Sequence, residues 1–513
     1  MGRLLTDKNV LILSVFVAGL CSLVYELLIS TTSSYFLGDS VRQFSITIGL
    51  YLAAMGLGSY ISRLLKTELL RSFVAVEILL GIIGGTAVPM LYLIYAFFDL
   101  FWPSVVLLII VIGALTGLEI PLLTRIMEED RGRFDDSLDI NLSNVLSFDY
   151  LGALLATLAF PFLLLPLLGT FRASLVLGLL NISVGALCLW WFADALSKRT
   201  RRQGMVAIGL ASALLAGLLI GSGVLMRNWS DSIYEDRVVY REQTPYQRIV
   251  MTQYRSDVRL FLDGNLQFSS RDEHRYHEPL VHIPMRAVPD ARRVLILGGG
   301  DGLAARELLK YDRVEHITIV DLDPAMFELA RSHPAVTRLN QRSLYSPRVH
   351  IRAQDAFVFL EETSETFDVI LADLPDPNNT SLARLYSRAF YSRVRNHLAP
   401  GGVFVTQATS PYFAMKAFWC IRETVATAAF DNVYPYHVSV PSFGDWGFVM
   451  ATDRSLHPES LTPQVPTRFL NDNTVPALFA FPDDVQPTER PMPSTLDQPH
   501  VLEYYLAGWR YWN

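Results

Sequence analysis

Along the first 226 residues apolar positions do not alternate with polar ones; they run on. Seven stretches carry no charge, 9–25, 43–62, 78–98, 100–118, 150–171, 173–193 and 203–226. Each is about the ~20 residues that an α-helix needs to cross ~30 Å of hydrocarbon. A buried helix of a water-soluble domain is usually shorter and seldom recurs so often in one chain. Gly84-Gly85, Pro89, Pro161 and Pro166 fall inside these runs, where a packed membrane bundle tolerates them and an isolated soluble helix does not. Glu26 follows the first run with no small-residue cleavage pattern, so that run is not a signal peptide. The pattern predicts an α-helical, multi-pass membrane bundle of about seven helices over residues 1–228, with a lipid bilayer as its partner.

From residue 292 the rhythm changes to apolar strand, turn and helix, repeated. Strand-like runs fall at 294–297, 317–320, 349–352, 369–372 and 403–406, with helix-like stretches between them at 303–310 and 324–332. Such alternation predicts an α/β fold, a doubly wound Rossmann-like sheet of the methyltransferase type over 289–455, with ligand at the carboxyl ends of the strands. Residues 229–288 read as a small antiparallel β unit turning at Asp263-Gly264. Residues 456–513 read as a closing segment and tail. In the tail, the Pro-rich stretch 482–499 suits a surface linker. The end, 504–513, with Trp509 and Trp512, suits a docking helix or one lying at the membrane interface.

Charge divides the chain at the same place. The 513 residues carry a net −7, but residues 1–228 hold 15 basic and 15 acidic groups; the remaining 28 basic and 35 acidic groups, and all ten His, lie beyond. An acidic aqueous half argues against nucleic acid as a partner and mildly favours a cationic one. Three cysteines, Cys21, Cys188 and Cys420, are too few and too scattered for a disulfide framework or a zinc site. Arg3, Lys8, Arg63, Lys66, Arg71, Arg125, Arg131, Arg133, Lys198, Arg199, Arg201 and Arg202 fall in alternate connections, which places the N-terminus in the cytoplasm. Seven full crossings then leave the acidic half outside, so the side it faces stays open. Glu26, Glu119 and Asp149 stand close to or within the runs. They suit either hydrogen bonding inside the bundle or a cation pathway.

The candidate chemistry is at the strand ends. Gly298-Gly299-Gly300-Asp301-Gly302 follows the first strand and opens a helix, where glycines let a ligand approach the backbone. Asp321, ending the second strand, is placed to take ribose hydroxyls. Asp355, after the third, is placed to accept from an adenine amine. An acid after each of three strands, with no basic group in the turn, suits an adenosyl ligand without phosphates better than a dinucleotide. The fourth strand ends in Asp373-Leu374-Pro375-Asp376-Pro377. Two carboxylates three residues apart suit a polycationic substrate: they can hold an alkylammonium and leave a deprotonated amine as nucleophile.

In order along the chain stand Leu262-Asp263-Gly264-Asn265-Leu266-Gln267, Arg271-Asp272-Glu273-His274-Arg275-Tyr276-His277-Glu278, the Gly298 turn with Arg306-Glu307, the Asp373/Asp376 pair, Gln407, and 441–447. With them the chain resembles the spermidine synthase (polyamine aminopropyltransferase) family, in its membrane-anchored bacterial form, from about Tyr246 to Phe448. The segment 468–482 is similar to the family's closing segment. The resemblance implies decarboxylated S-adenosylmethionine as co-substrate, without a further cofactor or metal, and a diamine, usually putrescine, as acceptor. It implies that Gln247, Asp321, Asp355 and Ala356 hold the methylthioadenosine part and Asp301 the aminopropyl ammonium. Tyr276, His277, Asp376 and Gln407 would line the amine channel, and Asp373 would be the general base. The family's members commonly pair, so a homodimer is expected.

The chain departs from the family pattern at Leu303, where another Gly is usual, at Ser270, usually Glu, and at Asp321, where Glu is commoner. Asn378-Asn379 replaces a small-residue–Gly-Pro run, and Phe443 stands where a Tyr usually helps the acceptor amine. These changes bear on the acceptor more than on the donor. Two other functions stay open at this stage: an S-adenosylmethionine-dependent methyltransferase on the same fold, and a polyamine transporter or sensor whose second half binds without turnover.

Overall fold

The structure, a computed structural model, describes residues 6–37, 40–98, 100–129, 138–232, 234 and 236–510. Arg3, Arg131 and Arg133 of the orientation pattern, and Trp512 of the tail, lie outside them. The chain divides into two compact units, Met1–Glu235 and Asp236–Asn513.

Among the described residues, the regular elements of the first unit are all helices, the long ones being α1 (Asp7–Leu37), α2 (Ser40–Ser62), α3 (Leu69–Phe97), α4 (Phe101–Glu129), α5 (Leu138–Ala159), α6 (Leu165–Trp191) and α7 (Lys198–Ser232). All seven apolar runs fall on helices. Two of them belong to a single helical stretch, because α5 passes through a π turn, Phe160–Leu164, into α6. The stretch breaks at Gly169, which has φ 67° and ψ 174°, a conformation costly for residues with a Cβ. By length and composition, six helical stretches among the described residues are apolar enough to cross a membrane, and one of them, Ile140–Trp191, has 52 residues. At ~1.5 Å per residue it is long enough for two passes through ~30 Å.

Helices α2 and α4 touch backbone to backbone. A Cβ on Gly58 would lie 1.9 Å from the Ala114 carbonyl oxygen, and one on Gly117 would lie 2.0 Å from that of Met55. Small residues at these points are what let the two backbones approach so closely. Glu119 is 4% exposed; a carboxyl that the charge-free runs had left out, Glu77, is 0% exposed and accepts from Asn181 Nδ2 at 2.8 Å. Glu26 is also buried, whereas Asp149 is only partly so.

The second unit begins with a four-stranded antiparallel sheet, β1 (Arg237–Gln243), β2 (Arg248–Tyr254), β3 (Asp257–Leu262) and β4 (Asn265–Ser269), in sequential order. The expected turn joins β3 to β4: Asp263 and Gly264 both have positive φ, 49° and 84°, the geometry of a two-residue hairpin. After α8 (His274–Ala287) come β5 (Arg293–Gly298), α9 (Leu303–Leu308), β6 (His316–Asp321), α10 (Pro324–Ser332), α11 (Pro334–Leu339), β7 (Val349–Ala353), α12 (Ala356–Glu362) and β8 (Phe367–Asp373). Then follow α13 (Thr380–Ala383), α14 (Arg388–Asn396), β9 (Leu398–Gln407), α15 (Met415–Ala426), β10 (Asn432–Val440), β11 (Gly444–Thr452), α16 (Thr474–Leu478) and α17 (His500–Arg510).

The seven-stranded sheet has the order β10-β11-β9-β8-β5-β6-β7, parallel from β5 to β9 and antiparallel at β10 and β11. Alternate residues build a core on each face. Val294, Ile296, Val369 and Leu371 pack on the side of α8, α9 and α10; Leu295, Leu297, Ile370 and Ala372 pack on the side of α12, α14 and α15. The strand order reverses between β5 and β8, so their carboxyl ends, Gly298 and Asp373, flank the crevice where such sheets bind ligands.

The tail is more ordered than a linker. Trp419 Nε1 donates to the Val485 carbonyl at 2.7 Å, and the amide of Ser494, which is fully buried, donates to Thr424 Oγ1 at 2.8 Å. The 482–499 stretch is therefore a strap held along α15. The 468–482 segment is pinned by Glu278 of α8, whose carboxylate accepts from the amides of Arg468, Phe469 and Leu470 at 2.7–3.1 Å.

Candidate active site

The glycine turn is shaped by contact with the neighbouring strand. Gly298 has φ +85°, and a Cβ there would lie 1.9 Å from the carbonyl oxygen of Asp373; on Gly300 it would lie 2.6 Å from Asp321 Oδ2. No side chain fits at these points, so the peptides of the turn can face a ligand. Replacing Gly298 with Ala therefore forces β5 and β8 apart, and the expected result is loss of adenosyl-ligand binding, measured by equilibrium dialysis with methylthioadenosine.

Asp321 accepts from the Gly300 amide at 3.0 Å and the Asp323 amide at 3.1 Å. Asp323, not singled out from the sequence, caps α10 through Ala325 at 3.0 Å. Its other oxygen holds Thr244 Oγ1 at 2.7 Å and Gln247 Nε2 at 3.1 Å. Gln247, in the turn between β1 and β2, is thus tied to Asp323, two residues past Asp321. Asp301 accepts from the Leu303 amide at 2.8 Å. Asp355 is the N-cap of α12, accepting from Phe357 at 2.9 Å and Val358 at 3.2 Å, and its second oxygen meets Arg384. The adenine contact expected of it would share a carboxylate already used by two amides and a guanidinium. Ala356, buried, opens the helix beside it.

On the far side of the crevice, the Tyr276 hydroxyl donates to Asp373 Oδ1 at 2.6 Å. Burial, then the neighbouring Asp373 charge, pushes that phenol well above its ordinary value, so it remains the donor. Gln407 does not offer a free amide to a channel. Its Nε2 donates to the Leu374 carbonyl at 2.7 Å, to Asp376 Oδ1 at 3.2 Å and to the Tyr386 hydroxyl, while its Oε1 accepts from the Thr409 amide at 2.9 Å. It fixes the peptide between the two aspartates.

Burial pushes Asp301, Asp321 and Asp376 up to about 6. Each is charged at neutral pH and each loses its hold on a cation as pH falls below that value. Their folded values exceed the ordinary ~3.9 of Asp, so for these groups stability decreases as pH rises from ~4 to ~6. A bound cation would offset that loss.

His277 shares Nδ1 with the Glu273 carbonyl at 2.8 Å and the Glu273 carboxylate at 3.0 Å. Burial alone would lower it, but the Glu273 carboxylate holds it up at about 9. Glu273 is itself held down at about 2, against the effect of burial, by His277 and by Arg306, which donates to both its oxygens at 2.9 Å. Because His277 is raised above ~6.5, its stabilising contribution is full below that pH and is lost as pH rises through about 9. Thermal melts near pH 6.5 and 9.5 should show a smaller alkaline loss for His277→Gln than for the native protein; an equal loss would contradict this charge state.

The arrangement brings Asp301, Asp321, Asp373 and Asp376 to the carboxyl ends of β5, β6 and β8, around the glycine turn. Residues 273–459 match the family model described as the spermine/spermidine synthase domain. Over 506 residues the chain is 43% identical to Polyamine aminopropyltransferase 2 of Ralstonia nicotianae, covering 97% of this chain and 98% of that one. It is 41% identical over 500 residues to the Polyamine aminopropyltransferase of Oceanobacillus iheyensis, covering 96% of each. A solved spermidine synthase in complex with the transition-state analogue AdoDATO aligns with 48% of this chain and 87% of its own, at 28% identity and a TM-score of 0.45. Relatives of this identity, matched from end to end with the helical unit included, show that the chain belongs to the polyamine aminopropyltransferase family of spermine and spermidine synthases.

Proposed function

We propose that the chain is a membrane-embedded aminopropyltransferase that moves the aminopropyl group of decarboxylated S-adenosylmethionine to putrescine, giving spermidine and methylthioadenosine. The observation that carries this reading is the Asp373/Asp376 pair, three residues apart at the carboxyl end of β8, beside the glycine turn that ends in Asp301-Gly302. In this reading Asp321 and Gln247, with Asp355 and Ala356, hold the methylthioadenosine moiety, and Asp301 takes the aminopropyl ammonium. Asp376 takes the far ammonium of the diamine. Asp373, oriented by Tyr276 Oη at 2.6 Å, accepts the proton from the near amine. That nitrogen attacks the carbon next to the sulfonium; the carbon–sulfur bond breaks and its electron pair returns to sulfur as neutral thioether. Most of the rate then comes from holding two cations in line in an acidic crevice. The helical unit, with six long apolar stretches among its described residues, would anchor the enzyme in the bilayer, and carbonate-resistant sedimentation of the full chain with membranes is the expected result.

Asp301 also supports the decarboxylated donor over S-adenosylmethionine itself. A carboxylate on the ligand beside that half-buried Asp would meet a like charge. Isothermal titration should therefore give affinity for decarboxylated S-adenosylmethionine at least ~10-fold above that for S-adenosylmethionine, and Asp301→Asn should narrow the gap. Equal or tighter binding of S-adenosylmethionine would favour the methyltransferase reading instead.

A further inference from the structure

Among the described residues, seven that are not glycine have positive φ. Six of them, Glu68, Arg255, Asp263, Gln341, Arg342 and Ala429, are exposed. The seventh, Thr409, is fully buried, at φ +56°. A β-branched residue rarely enters that region, so the conformation is costly and persists only where its surroundings over-determine it.

Its neighbours do so. The Thr409 amide donates to Gln407 Oε1 at 2.9 Å, and its carbonyl accepts from the Gly447 amide at 2.7 Å. The Ala408 amide donates back to the Gly447 carbonyl at 2.8 Å. A Cβ on Gly447 would stand 3.0 Å from the Thr409 carbonyl oxygen and 2.4 Å from the Phe418 ring, so β11 comes this close only with glycine there. The consequence of the turn is the direction of a hydroxyl. Thr409 Oγ1 donates to Asp376 Oδ2 at 3.3 Å, while Gln407 Nε2 donates to Asp376 Oδ1 at 3.2 Å. Two residues of one buried turn thus hold the two oxygens of that carboxylate, one each. Both bonds are longer than the ~2.8–2.9 Å of a relaxed one. They orient the carboxylate without saturating its roughly four acceptor positions, which leaves room for an incoming ammonium. A turn that served packing alone would take Gly or Asn, which enter this region at less cost.

We propose that Thr409 is an acceptor-positioning residue: its hydroxyl fixes the Asp376 carboxylate in the orientation that receives the far ammonium of a diamine, and so favours diamines over monoamines. The proposal rests on the aminopropyltransferase reading and adds to it a specificity element in the connection between β9 and α15.

The test is steady-state kinetics of the full-length protein in detergent, with 1,4-diaminobutane as acceptor and 1-aminobutane as competitor, on the native chain, Thr409→Val and Thr409→Ser. Val keeps the β-branch, and with it the backbone strain, and exchanges only the hydroxyl for a methyl. KM for 1,4-diaminobutane should rise about 10-fold, the low end for a hydrogen bond to a charged group, because this bond is long. kcat, the KM for decarboxylated S-adenosylmethionine and the inhibition constant of 1-aminobutane, which has no far ammonium, should each stay within about two-fold. Thr409→Ser should bring the diamine KM back to within about three-fold of the native value. Thr409→Ala removes the hydroxyl without adding a methyl and gives the same comparison if the valine variant does not fold. An unchanged diamine KM without the hydroxyl, an equal weakening of 1-aminobutane, or no recovery with serine overturns the proposal while native turnover still stands. No methylthioadenosine from the native protein overturns the parent reading, and this one with it.

Discussion

Replacing Asp373 with Asn should lower kcat by about 10²–10⁴-fold, the range that a positioned general base contributes. The substitution keeps the size of the side chain and an oxygen that can still accept from Tyr276 Oη, now at 2.6 Å. The turn that depends on the Asp373 backbone, where Gly298 has no room for a Cβ, is untouched. Binding of methylthioadenosine should therefore survive while turnover does not. Part of the lost rate should return at high pH, where more of the acceptor amine is already neutral; a base that merely held the amine would show no such recovery. Retention of most of the native rate would remove Asp373 from the proton step and leave it as a binding group.

The largest effect on stability is expected at Arg306. Its guanidinium is 7% exposed and pairs with both oxygens of Glu273, 1% exposed, and with Glu307 at 2.9 Å. Arg306→Met leaves two buried carboxylates short of a partner, which costs about 3–5 kcal/mol when one member of such a pair is removed. The pairing joins α8 to α9, and α8 carries Tyr276 and His277, so activity should fall with stability. Urea titration of the purified protein, followed by tryptophan fluorescence, measures the first. The double variant Glu273→Gln/Arg306→Met should recover part of the loss, since it no longer buries that unpaired charge. A single variant as stable as the native chain would mean that the network is solvated and unimportant.

Much of the second unit was legible in the sequence because a parallel sheet writes itself plainly: five short apolar runs, each inside an observed strand, and an acid just past several of them. Asp301, Asp321, Asp373 and Asp376 could be placed at strand ends without knowing a single distance. What could not be read were contacts between segments far apart in the chain. Gln407 was expected to face the amine, but its amide is taken by Leu374, Tyr386 and Asp376. Asp355 was expected at an adenine, yet it also caps α12 and meets Arg384. The strap over 482–499 read as a linker because its order comes from Trp419 and Thr424, some seventy residues away in sequence.

In the helical unit the runs were plain, but the rule that found them hid Glu77. A search for charge-free stretches starts one residue after it, at 78. The break at Gly169 was hidden for another reason: one positive-φ glycine in a long apolar stretch gives no compositional signal. These are the points where a single residue's geometry, rather than a pattern, decides the structure.

The most direct measurement is a single incubation of the purified full-length protein with decarboxylated S-adenosylmethionine and putrescine, read by mass spectrometry. The expected result is methylthioadenosine and spermidine in equal amounts, growing together with time and forming at least ~100-fold more slowly with Asp373→Asn. Formation of S-adenosylhomocysteine from S-adenosylmethionine instead, or no methylthioadenosine with putrescine or any other diamine offered, would contradict it.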